Sequence, residues 1–479
     1  VEGEIRNSLS DLFTDILFEF AKLDTPLIGA CLQTLSHLVP NLESKRTKFW
    51  YSLDALIFKG ASLSSMSSSY RIAFTSALTN FSEVVGFLQL FGRLLSIETK
   101  EIGSDFMSFG KLAFPMKLGQ GYRKAGIWPY FDYIFHEVFV HSNHLADASK
   151  ATAIQLPILN IIEQALFSFD YRFIINSIPA QANFDKLVST EDFFTYVQES
   201  PAPAVFNYLF TEKVYKCIFD IASIGVDNLA IDLGRGAEQL ELITMAVKII
   251  CLVLEFQDPY VEEFASLLTK NRKSNYFMPK DFGLHGLRSF YDAVIFNLPM
   301  IAHLGLYVGL ENYLLASNSL QILKMLSDRY TGDKSFTVKN KLLTIFDSVD
   351  ESARIKDAFI SQLERPIENM KSLVLKLEIM DFINENLSFT DHAPTVAHLL
   401  LGFQVSNVLS TGPNLATFIS SGTSLLDSLT AILQSSLGSV DGDHILYAPM
   451  RLASKSMEIV LKVCRNPSTS RIMLDHFAT

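Results

Sequence analysis

The chain has 479 residues, of which 49% are hydrophobic and 19% are charged, and its formal net charge is −11 at pH 7. This length exceeds one ordinary hydrophobic core and predicts either about three domains or a continuous repeat array. The acidic balance opposes direct nucleic-acid binding, because a phosphate backbone calls for a basic surface. Scarce glycine and proline argue against a turn-rich β fold.

The first forty residues predict a helical hairpin. Thr25 is expected to cap the second helix, with Pro26 at its first position and Pro40 as its stop. In the first helix, apolar residues at i, i+3 and i+4 spacing predict one buried stripe, formed by Ile5, Leu9, Leu12, Phe13, Ile16, Leu17, Phe20 and Leu23.

Residues 135–144, FHEVFVHSNH, raise the question of a metal site. The zincin motif H-E-x-x-H puts its two histidines four residues apart on one face of a helix. His136 and His141 are five apart, which in an α-helix turns their side chains about 140° away from each other. No cysteine lies near His144 to complete a set of ligands. The spacing therefore predicts no metal site, and the histidines are interpreted as bystanders on a packed helix that begins at Pro129.

Helical periodicity continues through residues 153–169, 241–256 and 456–465, and no persistent alternation predicts a β hairpin. We expect an all-α fold, an irregular α-solenoid of stacked antiparallel helix pairs of the HEAT or armadillo kind, elongated and curved. Residues 1–479 are predicted to form one continuous segment of it, with bends near 179–203 and 269–283. Because the chain opens without an initiator methionine, we expect an internal part of a longer protein.

The uncharged stretch 293–310 has the minimum length of a membrane span. Pro299 would break such a helix in its middle, so two soluble helices are predicted, with Pro299 at a helix start or kink. No transmembrane segment is therefore predicted.

Motifs of catalytic or cofactor chemistry are incomplete. The four cysteines are scattered, and GRGAEQ at 234–239 has no third glycine where a dinucleotide fingerprint needs one. We accordingly predict no catalytic, cofactor-binding or metal-binding residues. A helical enzyme with ionisable groups converging around His136, Glu137 and His141 is a less favoured alternative.

Three stretches resemble landmarks of a known family: residues 118–139, 286–310 and 394–403, with 48–58 as a looser fourth match. In this order they resemble the largest inner-ring scaffold nucleoporins of the nuclear pore complex. The sister inner-ring scaffold nucleoporin is the near alternative, because residues 351–383 suit either.

The resemblance implies a structural function at the nuclear envelope. It implies a helical scaffold that supports nucleocytoplasmic transport and binds neighbouring inner-ring scaffolds and short linear segments of flexible linker nucleoporins. A soluble HEAT-repeat nuclear transport receptor is the alternative function. The partner-binding residues are not identified by the sequence, because a groove-facing and a core phenylalanine share the same periodicity.

Overall fold

The computed structural model describes most of the chain. The described residues are 2–23, 26–40, 43–58, 67–96, 115, 118–123, 126–167, 201–231, 236–260, 289–331, 341–388, 394–405, 415–418, 424–438, 447–467 and 469–478. They form two compact units. The first comprises Val1–Ile218 with Ala237–Arg288, and the second comprises Phe219–Gly236 with Ser289–Thr479.

Helices make up nearly all the regular structure of the described residues, which confirms the predicted all-α class. Those numbered up to α12 are α1 (Glu2–Lys22), α2 (Ile28–Leu38), α3 (Glu43–Phe58), α4 (Ser67–Ala77), α5 (Phe81–Leu95), α6 (Trp128–Tyr133), α7 (Val140–Ser142), α8 (Ala148–Phe167), α9 (Pro201–Leu209), α10 (Glu212–Ala222), α11 (Val226–Ile231) and α12 (Gly236–Asp258). A π-helical segment, Ile134–Phe139, joins α6 to α7.

A close crossing of α2 and α5 in the first unit depends on two glycines. A Cβ on Gly29 of α2 would lie 2.6 Å from the Ser82 carbonyl oxygen, and one on Gly86 of α5 would lie 2.6 Å from the Gly29 carbonyl oxygen. Gly29 faces Ser82, and one turn later in both helices Leu32 faces Gly86, so α2 and α5 run parallel. Because glycine has no side chain, the backbones of α2 and α5 can come into direct contact at these two positions.

The buried face of α1 differs from the predicted one. Thr14, Phe18 and Ala21 are buried, whereas five members of the predicted stripe are exposed. The exposed members are Leu12, Phe13, Ile16, Phe20 and Leu23. The reason is that α1 is apolar on more than one side, and its packing against both α2 and α3 selects the side.

The contacts between α1 and α3 combine ring packing with ion pairs. Phe18 packs edge-on against Phe49 of α3, with ring centroids 5.5 Å apart. Lys45 of α3 lies 3.1 Å from Asp11, and a second lysine of α3, Lys48, lies 2.7 Å from Asp15.

The second helix begins later than predicted. α2 starts at Ile28 with Leu27 at its N-cap position, so Pro26 precedes the helix instead of opening it. Thr25 lies outside the described residues. The predicted stop is confirmed, because α2 ends at Leu38, two residues before Pro40.

The second unit repeats a group of three helices. Each group has a short helix, a medium helix and a long helix of 19 residues. The groups are α13 (Phe290–Ile295), α14 (Leu298–Tyr307) and α15 (Tyr313–Thr331); α16 (Lys341–Ser348), α17 (Ser352–Glu364) and α18 (Met370–Ser388); and α19 (Val396–Leu401), α20 (Leu425–Gly438) and α21 (Tyr447–Arg465); α22 (Ser470–Ala478) follows.

Equivalent helices of successive groups stack on one another. Among the medium helices, α14 contacts α17 and α17 contacts α20. Among the long helices, α15 contacts α18 and α18 contacts α21. Ser317 of α15 donates to Glu378 of α18 at 2.9 Å, and Lys324, two turns further along, lies 2.9 Å from Glu385. Both partners advance by seven residues, so these stacked helices run parallel. The second unit is thus built from three-helix repeats of the armadillo type, and helical hairpins are parts of these repeats.

A β pair interrupts the third repeat and contradicts the prediction of no β hairpin. Strand β1 (Phe403–Val405) pairs antiparallel with β2 (Leu415–Phe418). Period-two alternation over three or four residues is too short to be recognised in the sequence. In the described residues this pair is the only sheet.

The predicted break at Pro299 is confirmed. α13 ends at Ile295, and α14 begins at Leu298 with Pro299 in its first turn. The Asn297 side chain caps α14 by accepting from the Met300 backbone N–H at 3.3 Å. None of the described helices is long and apolar enough to cross a membrane.

The two predicted bends fall mostly outside the described residues. Residues 269–283 and 179–200 lie outside them, while 201–203 form the first turn of α9 rather than part of a connection. One continuous solenoid over 1–479 stays a prediction.

The glycine crossing generates a test by substitution. We expect Gly86→Ala to lower the free energy of unfolding by about 1 to 3 kcal/mol, because the added methyl group meets backbone that has no room to move. Gly92→Ala in the same helix is the control, since its Cβ would meet no backbone and its nearest neighbour would be the Ile161 Cγ1 atom at 3.3 Å. Urea unfolding followed by circular dichroism measures both, and equal effects would contradict this account.

Candidate functional site

Two of the landmark stretches meet at a fully buried ion pair. Asp54 of α3 and Arg123, in the turn before α6, both have side chains with no exposed surface. Arg123 Nη2 lies 2.5 Å from Asp54 Oδ1, and its Nε lies 3.2 Å from the same oxygen. The Tyr130 hydroxyl donates to Asp54 at 2.7 Å, and the Tyr122 hydroxyl also donates to it. The carboxylate is thus satisfied by three side chains, as a buried charge requires.

The turn that delivers Arg123 depends on glycine. Gly119, Gly121 and Gly126 all have positive φ, a backbone conformation that glycine adopts without strain. A Cβ on Gly119 would clash with the Arg123 side chain, and the Gly126 carbonyl accepts from Arg123 Nη1 at 3.0 Å. The turn therefore folds around the guanidinium group.

Aromatic rings enclose the ion pair. The guanidinium carbon of Arg123 lies 4.8 Å from the centre of the Phe58 ring and 5.9 Å from that of Tyr130. Tyr130 stacks on Phe91 at 5.5 Å and meets Trp50 edge-on at 6.1 Å. Burial, followed by the negative charge of Asp54, raises the pKa of Tyr130 far above its ordinary value, so this hydroxyl stays a donor.

His136 belongs to a second ionic cluster. Arg71 of α4 forms two hydrogen bonds with Asp132, at 2.7 and 3.0 Å, and lies 3.4 Å from Glu137. The Tyr208 hydroxyl also donates to Asp132, at 3.3 Å. His136 Nε2 lies 3.9 Å from this carboxylate, and its ring packs edge-on against Tyr208. Burial lowers the pKa of His136, against the opposing effect of Asp132.

The α-helical angle used in the sequence argument is wrong for this segment. Residues Ile134–Phe139 are π-helical, and a π turn closes on i+5 instead of i+4. The histidines nevertheless have separate surroundings, because His141 is exposed and its Nδ1 lies 2.8 Å from the Glu137 carbonyl oxygen. His144 is also exposed. Within the described part of the chain, no cluster of three or more His, Cys, Asp or Glu side chains could hold a metal ion.

The landmark at residues 394–403 forms the buried helix α19. Thr395 caps this helix, and its backbone N–H donates to His398 Nδ1 at 3.1 Å in a capping box where histidine takes the place of glutamate. His398 is buried, and burial lowers its pKa to about 4. Gly402 ends the helix in the left-handed conformation, after which Phe403 begins β1.

An exposed apolar edge lies where α15 and α18 begin. We call Leu314, Ile367 and Met370 the N-terminal edge; all three side chains are exposed. Lys371 Nζ lies 5.9 Å from the centre of the Tyr313 ring, which places the starts of the two helices side by side.

The described residues are thus rich in packing contacts, and both ionic clusters join separate elements of the first unit. A family model described as nuclear pore complex scaffold, nucleoporins 186/192/205, matches residues 1–479. The chain belongs to this family. The resemblance stated from the landmark stretches is therefore confirmed, and it places the chain in the nuclear pore complex at the nuclear envelope.

Two curated relatives are similar over most of the chain. Nucleoporin NUP192 of Chaetomium thermophilum is 25% identical over 346 residues, which is 68% of this chain and 19% of the relative. Nucleoporin nup186 of Schizosaccharomyces pombe is 25% identical over 375 residues, which is 76% of this chain and 22% of the relative. The chain therefore spans about a fifth of the length of these relatives.

The contact between two of the landmark stretches was not predicted from the sequence. Residues 48–58 and 118–139 were identified separately as family features, although Asp54 is the one acid in the first stretch and Arg123 lies between Gly121 and Gly126. An isolated charge in an apolar helix and an arginine in a glycine-rich turn are the signals that could have suggested a buried pair.

The ion pair can be tested with a double-mutant cycle. We expect Asp54→Asn to cost about 3 to 5 kcal/mol of unfolding free energy, because it leaves the Arg123 charge buried without a counterion. Adding Arg123→Met should recover part of that loss, since no unpaired charge remains. Urea unfolding of the four proteins measures the coupling.

An exposed pair in the second unit is the control for this cycle. Arg354 donates two hydrogen bonds to Asp227, at 2.7 and 3.0 Å, and both side chains are largely exposed. Asp227→Asn should change stability little. Additive effects of Asp54→Asn and Arg123→Met would show that the two residues stabilise the fold independently.

His398 predicts a pH dependence of stability. Its pKa is about 4 in the fold against an ordinary 6.5, so between these values the unfolded chain binds more protons than the folded one. Stability should fall as the pH is lowered from 6.5 to 4, by up to roughly 3 kcal/mol from this residue. His398→Gln keeps a capping side chain without the titration, so the difference between its curve and that of the parent isolates the effect. Parallel curves would contradict the assignment.

Proposed function

We propose that this chain is part of the inner-ring scaffold of the nuclear pore complex and binds short linear segments of flexible linker nucleoporins. Neighbouring inner-ring scaffolds are its other proposed partners. The proposed role is structural, with no catalysis and with no direct contact to nucleic acid. The observation that carries the proposal is the stack of three-helix repeats in a member of a pore-scaffold family.

A stack of this kind suits extended peptides. Parallel long helices such as α15 and α18 begin side by side, and a groove between neighbouring helices can accept apolar anchors of an extended segment. The N-terminal edge offers Leu314, Ile367 and Met370 for such contacts. Glu311, Glu368 and Lys371 are exposed beside it, and the chain's net charge of −11 favours a peptide whose apolar anchors are flanked by basic residues.

The soluble transport receptor is the less favoured function. Its expected signature is a regular repeat of about 40 residues. The repeats of the second unit instead have long helices that begin at 313, 370 and 447, spacings far above that value. The family match likewise favours a pore scaffold.

The peptide-binding proposal is tested on the N-terminal edge. We expect Leu314→Asp combined with Met370→Asp to weaken binding of linker-nucleoporin peptides at least about tenfold, because two anchor contacts of roughly 1 kcal/mol each are lost and acidic groups replace them. Calorimetric titration with synthetic peptides measures the affinity, and a melting curve shows whether both proteins remain folded.

Ile72→Asp is the matched control, since Ile72 is as exposed but lies on α4 in the first unit. It should leave peptide affinity unchanged. Unaltered affinity in the double variant would remove the N-terminal edge from the proposal, and no binding by the parent chain to any linker peptide would overturn the proposed binding function.

A further inference from the structure

The contacts between the long helices define which positions correspond from repeat to repeat. Glu378 and Glu385 of α18 contact the preceding helix α15, and Lys455 and Lys462 of α21 contact the preceding helix α18. Each of these lysines lies 77 positions after its glutamate counterpart, the same offset that separates the first residues of the two helices. Equivalent positions therefore face equivalent neighbours.

The opposite side of these helices follows the same rule. Lys324 of α15 pairs with Glu385 of the following helix, and its counterpart Asp381 on α18 pairs with Lys455 of the helix after that, at 2.6 Å. Ser327 and its counterpart Asn384 also contact the following helix, through Asn386 and Lys462 respectively. The side of each long helix that receives its successor is thus identified.

Three positions on this receiving side differ sharply between repeats. On α15 and α18 they are at most 7% exposed, whereas on α21 they are 56, 47 and 43% exposed. The three sets are Ala316, Leu323 and Ser327 on α15; Leu373, Met380 and Asn384 on α18; and Met450, Met457 and Leu461 on α21. On α21 all three side chains are large and apolar. We call these three residues the receiving face of α21.

The helix that follows α21 supports the same reading of the repeat. A short helix comes after each long one, α16 after α15 and α19 after α18. α22 takes this place after α21 and packs against it. α22 is thus the counterpart of the first helix of a repeat.

We propose that the receiving face of α21 is the docking surface for the long helix of a further repeat of the same polypeptide, running parallel to α21. The interface would continue the one that joins α15 to α18 and α18 to α21. Glu458 occupies the place of Lys324 and Asp381, but it already lies 3.8 Å from Lys462 of its own helix and hydrogen-bonds with Asn384 of α18. Because the receiving face consists of large apolar side chains, the docking helix presents an apolar stripe to it. This inference does not depend on the proposed peptide binding.

The proposal is tested by methionine oxidation. The 479-residue chain is compared with the native polypeptide extended beyond residue 479, each treated with dilute hydrogen peroxide and read by peptide mass spectrometry. Oxidation of Met450 and Met457 should slow at least about fivefold in the longer protein, because buried thioethers are shielded from the oxidant. Met370, which is exposed and off the receiving face, is the internal control and should oxidise at the same rate in both.

A substitution gives a second readout. Met457→Asp should lower the melting temperature of the longer protein and leave that of the 479-residue chain nearly unchanged, and Ile72→Asp should leave both unchanged. Equal oxidation of Met457 in the two proteins would overturn the proposal. So would a dimer of the 479-residue chain that light scattering detects and Met457→Asp dissociates, because the occupant would then be a second copy.

Discussion

The buried pair of Asp54 and Arg123 is the constraint on which the first unit depends. A charge without exposed surface is tolerated only when its partner and its hydrogen bonds are all in place. Here the partners come from α3, from the glycine-rich turn and from α6, so the pair fixes these three parts of the chain against one another. The surrounding aromatic rings exclude water and make the electrostatic attraction stronger than it would be at the surface. A family landmark of no evident chemistry is thereby explained as a folding constraint.

In the second unit, the corresponding constraint is repetition. Parallel long helices stack through polar contacts at their edges and apolar positions between them, and each helix covers the face that the previous one leaves open. A repeat of this kind contacts only its neighbours, so its surface at an end of the stack has the composition of an interior. This physical property explains why Met457 is exposed while Met380, at the equivalent position, is fully buried.

The histidine-rich segment shows how a functional reading changes with context. In sequence, His136 and Glu137 suggest part of a metal motif, but in the fold they lie beside Asp132 and Arg71 in an ionic cluster. The arginine comes from α4, more than sixty residues earlier, and its two bonds with Asp132 give that carboxylate a partner. The cluster therefore ties α4 to the π-helical segment, a packing role that spacing along the chain could not reveal.

The sequence by itself determined the helical class, the break at Pro299 and the family. Each depends on a feature that is present in the sequence: the 3.6-residue periodicity, the proline that lacks a backbone N–H, and the landmark stretches that occur in the family's order. Only the tertiary structure decided which side of α1 is buried, since α1 is apolar on several sides and its packing against α2 and α3 selects one. It also decided the partners of Asp54 and Arg123, which lie 69 positions apart. The three-helix repeat could not be recognised in the sequence for a related reason. Its copies share a stacking geometry but have different residue types at equivalent positions. Ala316, Leu373 and Met450 occupy one position, and only the contacts of their neighbours show that the position is the same.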